Sequence, residues 1–133
     1  MSFATRIRIT LGMLVLAVAV PGVAAASAEQ AANVPGVWIC NERLPDGREV
    51  VTENSYSADG TFAGKSSLAG KESWTYSGKW RLENGQLISE YEKSSKPLAL
   101  SARTAADQVV VLAGGVMVVA SGETGQRTYL RAD

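Results

Sequence analysis

Beyond its first 28 residues this chain is expected to be all-β. The expected architecture is an antiparallel up-and-down meander closing into a small eight- or nine-stranded barrel. Three observations predict it. Gly, Asn, Asp and Pro punctuate residues 36–131 roughly every 8–12 residues, with short apolar runs between them. No window there carries a helical period. Every connection is short, which makes neighbours in sequence antiparallel neighbours in space, and closing such a meander removes its exposed edges.

The start of the chain reads differently. Arg6 and Arg8 precede an apolar block from Ile9 to Val20, then Pro21-Gly22, then the small pair Ala26 and Ala28. A basic start, an apolar run and an A-x-A site are the parts of a secretory signal peptide, with cleavage expected after Ala28. The apolar block is about 12 residues long, short of the ~20 that a spanning helix requires. Residues 29–133 are then one exported domain, periplasmic or secreted. Removing Arg6 and Arg8 from 13 basic residues leaves 11 against 13 acidic ones, a net charge of −2. That balance gives no electrostatic footprint for nucleic acid or for an anionic membrane, and no stable membrane insertion is expected.

The strands follow in order. "GVWICNERL" (Gly36 to Leu44) ends at Pro45-Asp46-Gly47, and "REVVTENSYS" ends at Asp59-Gly60. "TFAGKSSL" leads to Ala69-Gly70. "WTYSGKWRLE" (Trp74 to Glu83) stops at Asn84-Gly85, a strong hairpin signal. "QLISEYEK" runs to a corner at Ser94-Ser95-Lys96-Pro97. "LALSART" is the sixth strand, and a turn at Ala105–Asp107 separates it from "QVVVLA". "VMVVAS" follows Gly114-Gly115, and "QRTYLRA" closes the chain. That makes nine strands. An odd number would bring the first and last strands together in parallel, so eight are expected to close with the ninth laid alongside.

Chemistry is sparse. With no His, the commonest general base and most transition-metal ligation are missing. Cys40 is the single cysteine, so no disulfide can form within the chain, and it reads as a small buried hydrophobe. Glu90 and Glu92 alternate with Ser89 and Tyr91 and read as a solvated strand face. No catalytic residue, metal or cofactor is expected.

Gly36-Val37-Trp38, "YSADGTFAG" (Tyr56 to Gly64) and "YSGKWRLENGQLI" (Tyr76 to Ile88) together resemble the small bacterial lipocalin-like domains. The chain lacks the long C-terminal helix and paired cysteines of lipocalins. The resemblance implies that Trp38, entering the first strand after Gly36, plugs the closed end of the barrel. It also implies a basic residue of the last strand over that ring, here Arg127 or Arg131.

Strand direction sorts the inward side chains. Trp74 and Trp80 are six residues apart on one strand, roughly 20 Å at 3.3 Å each. Trp80 is expected low, in the plug with Trp38, and Trp74 near the mouth. Trp74, Tyr76, Tyr56, Asn54 and Thr52 are the candidates for a pocket wall, and Gly78 marks a bend or bulge between the two zones. Whether the interior is filled or hollow stays open, since an eight-stranded barrel allows either. Two functions follow. A hollow barrel would bind a small hydrophobic molecule at its open end. A filled one would be an interaction or inhibitor module meeting an envelope or host protein through "NERLPDGRE" and "KSSLAGKES". The two-sided apolar strands 109–120 would suit a homodimer.

Overall fold

The structure, a computed structural model, describes residues 30–122 and 125–133; the expected signal peptide lies outside them. Eight strands form one closed barrel in sequence order. They are β1 (Gly36–Arg43), β2 (Glu49–Tyr56), β3 (Thr61–Leu68), β4 (Lys71–Glu83), β5 (Gln86–Ser94), β6 (Thr104–Ala113), β7 (Val116–Ser121) and β8 (Gly125–Arg131). Each strand is antiparallel to the next. The seam is antiparallel too, through Trp38 opposite Arg131 and Ile39 opposite Leu130. An even strand count makes that seam work.

Among the described residues there is no ninth strand. Of Leu98–Thr104, expected as the sixth strand, all but Thr104 lies instead in the β5–β6 connection, with a single 3₁₀ turn at Leu100–Ala102. Pro97 opens this segment without a donor for a ladder, and Leu100 points into solvent at 83 % exposure. The expected turn at Ala105–Asp107 is in turn part of β6, paired with β5 from Gln86↔Gln108 to Glu90↔Thr104. Burial alternates along it: Ala105 and Asp107 are half-buried, while Thr104, Ala106 and Gln108 are exposed. Polar alternation marks a strand with one wet face, and here it had the look of a loop.

Tight turns hold the register. Asn84 and Gly85 both take positive φ (51° and 77°), the conformation a two-residue hairpin needs. Ala69-Gly70 does the same (52° and 83°), with an alanine where Asn or Gly fits more easily. Bulges then reset the inward phase at Ser66/Ser67, at Ser77/Gly78 and at Val109/Val111. The last turns both Val110 and Val111 outward, at 49 % and 41 % exposure, which is why that strand reads as apolar on both faces. At Gly78 the β5 backbone passes so close that any Cβ would strike the Glu90 carbonyl.

The densest packing is at the closed end. A helical turn at residues 30–32 leads to Val34, which is fully buried beneath the barrel with Trp38 and Met117. Leu112 and Tyr129 complete this layer.

Candidate functional site

The floor is built on Trp38. Its indole N–H donates to the Val34 carbonyl at 2.8 Å, and the Arg131 guanidinium lies 4.4 Å from its ring centroid. Arg131 also donates to the carbonyls of Pro35 and Asn33, each at 2.8 Å, and meets Asp133 at 3.7 Å. Gly36, at φ 137°, lies against that guanidinium where a Cβ would collide with it. Of the two candidate arginines, Arg131 covers the tryptophan. Trp80 is elsewhere: its N–H donates to the Ser57 carbonyl at 2.8 Å, and its ring meets Tyr56 edge-on at 5.8 Å. It closes the wall beside the β2–β3 turn instead of joining Trp38.

Above the floor the barrel is hollow, with a cavity of about 750 Å³. All five expected wall residues, Trp74, Tyr76, Tyr56, Asn54 and Thr52, line it. Tyr56 is deeper than the others, since it ends β2 opposite Gly36 at the closed end. Phe62 and Tyr91 join them in a continuous aromatic wall. Ring centroids are 5.9 Å apart for Tyr56–Phe62, 6.1 Å for Phe62–Tyr76, 4.4 Å for Tyr76–Trp74 and 5.4 Å for Tyr76–Tyr91. Offset and edge-on contacts of this kind hold rings in place beyond simple burial.

Hydrogen bonds fix the same wall. The Tyr76 hydroxyl donates to Asn54 Oδ1 at 2.5 Å, across Gly64, whose missing Cβ makes room for the ring. Thr52 and Ser66 share a hydrogen bond of 3.0 Å between their hydroxyls. The Trp74 indole donates to Ser94 Oγ at 2.7 Å, and Ser94 donates to the Lys96 carbonyl at 2.6 Å. Trp74 is thereby tied to the start of the β5–β6 connection, whose Leu98, Ser101 and Ala102 form part of the mouth.

The opposite wall is charged. Arg127 enters the cavity from β8, donates to the Tyr129 hydroxyl at 3.1 Å and lies 3.7 Å from Glu42. Its Nε is buried without a hydrogen-bond partner. Asp107 reaches in from β6 and forms no ion pair or hydrogen bond with another described residue. Burial pushes its carboxyl above the usual carboxylate range, and the Arg127 charge opposes that rise. All four tyrosines are pushed up by burial, so they stay neutral donors at physiological pH. Cys40 is buried, and its thiol is raised first by burial and then by Glu42.

Asp107, Arg127 and Tyr129 were not placed in this site by the sequence reading. Asp107 was hidden by an expected turn, and Arg127 by its assignment to the plug. A signal existed for the second: Arg127, Tyr129 and Arg131 alternate along one strand and must share a face. Among the described residues no group of three metal-ligating side chains occurs, and no helix is long and apolar enough to cross a membrane. The site offers a ring-lined wall, facing polar groups and an open mouth. No protein-family model and no curated protein sequence matches this chain.

Proposed function

We propose that the chain is an exported, non-enzymatic carrier or sensor that holds one small molecule inside its barrel, as its likeness to lipocalin-like domains implies. One observation carries this reading: five aromatic rings from β2 to β5 line a cavity of about 750 Å³. Small-molecule sites commonly enclose about 300–1,000 Å³ and combine apolar walls with a few placed polar groups. A barrel selected for stability alone would fill such a space, because an empty interior forfeits dispersion contacts and destabilises the fold.

Trp74 stands at the mouth and reports on occupancy. Titration with a panel of apolar and ring-bearing small molecules should quench tryptophan emission saturably, and Trp74→Phe should remove most of the change. A panel that leaves the emission of the unaltered protein flat contradicts this function.

A further inference from the structure

The cavity's polar groups restrict what can occupy it. Asp107 and Arg127 are the charged side chains of its lining, and they differ in what they already have. Arg127 lies 3.7 Å from Glu42 and donates to Tyr129, although its Nε has no hydrogen-bond partner. Asp107 makes no hydrogen bond or ion pair among the described residues and feels Arg127 only as a charge. Counting Glu42, this wall holds two carboxylates and one guanidinium, an excess of one negative charge. An incoming anion would have to compete with Glu42 for Arg127 while facing Asp107. An incoming cation meets an acceptor that is waiting.

Polar side chains near Asp107 line the cavity too. Ser89 is opposite Ala105 and Leu87 opposite Asp107, so Ser89 and Asp107 are diagonal neighbours on the inner face of the β5–β6 ladder. Ser89 is 6 % exposed and presents its hydroxyl side to this lining. Tyr56 (6 % exposed) and Asn54 (8 %) are polar neighbours on the same lining. A hydrocarbon occupant would offer none of these polar groups a hydrogen bond. Tyr56 and Tyr91 lie near enough to Asp107 for its charge to oppose their ionisation. Rings beside a carboxylate favour a cation through their negative faces.

Resting on the reading of the cavity as a ligand site, we propose that its occupant is an organic cation, a protonated amine or related nitrogen cation on a ring-bearing body. Asp107 is its counter-ion, the aromatic wall receives the ring, and Ser89 contributes a hydrogen bond beside the charge.

Calorimetric titration of the unaltered protein with side-chain-matched probes tests this. Tryptamine, indole-3-propionamide and indole-3-propionate present one ring and chain length with positive, neutral and negative ends; phenyl and naphthyl sets extend the ring size. The cation of at least one set should bind roughly tenfold or more tightly than its neutral and anionic counterparts. Asp107→Asn should abolish that preference while leaving the neutral probe's affinity in place. Neutral or anionic probes binding as well as the cations overturn the cation assignment and leave the ligand site standing. Retention of the preference in Asp107→Asn overturns it as well. If none of the probes binds the unaltered protein, both the cation assignment and the ligand site fail. The comparison of charge states needs no variant, so it holds even if Asp107→Asn folds poorly.

Discussion

Arg131 lies over the ring of Trp38, 4.4 Å from its centroid, and ties the last strand to the chain segment that precedes the first. Its guanidinium serves as a lid on the plug and as a clasp on the carbonyls of Pro35 and Asn33. Arg131→Ala should therefore lower stability by about 1–3 kcal/mol, combining a lost cation–π contact with lost charge-assisted hydrogen bonds. Urea denaturation measures it, and an unchanged midpoint would argue that the clasp is ornamental.

Gly36 should resist any side chain. Its φ of 137° is glycine territory, and a Cβ would collide with the Arg131 guanidinium. Gly36→Ala is expected to cost about 1–3 kcal/mol. Gly122→Ala makes the control, since open space surrounds that position and its φ is not positive. Equal thermal midpoints for the two variants would refute the steric account.

Tyr76 and Asn54 should be energetically coupled. Tyr76→Phe removes the donor and leaves Asn54 Oδ1 buried beside an apolar ring edge. The expected loss is about 1–3 kcal/mol, the cost of an unsatisfied buried acceptor. In a double-mutant cycle with Asn54→Ala the two losses should fall well short of adding. Strict additivity would place the hydrogen bond outside the stability of the wall.

Alkali should unfold the barrel through its tyrosines. Burial raises all four above their ordinary value of about 10. The unfolded chain then loses phenolic protons first, so their contribution is whole below about pH 10 and declines as pH rises toward the folded-state values. Tyrosinate absorbance should appear together with loss of the fold. Ordinary titration near pH 10 in a still-folded protein would show the phenols to be in water.

Asp107 should be a site where function opposes stability. Its raised carboxyl means the folded chain favours the neutral form, so its contribution falls as pH rises through the folded-state value. Asp107→Asn, neutral at every pH, is expected to melt at a higher temperature than the unaltered protein at pH 7. A lower melting temperature would mean that the carboxylate has a stabilising partner.

Most strands were legible because turn chemistry is local. Asn84-Gly85 and Asp59-Gly60 name their hairpins, and alternation between them orients Trp74, Tyr76 and Phe62. What escaped depended on phase. A bulge at Val109/Val111 shifts the inward register by one residue, and no local residue type announces it. Asp107 was lost for a related reason, since its pairing with Leu87 is set by the ladder from β5 and not by its own neighbours. Trp80 stands at the low end as expected but packs on Tyr56 and not on Trp38, because height along a strand does not say which side of the barrel a ring occupies. Hollowness was beyond the sequence altogether, as it depends on how far apart the completed walls stand.

The most direct measurement is native mass spectrometry of the protein purified gently from the culture that makes it. The account predicts a retained small-molecule mass that disappears on mild activation and is absent after Tyr91→Ala or Trp74→Ala. The bare chain mass alone, from fresh material in which no added compound is retained either, would contradict it.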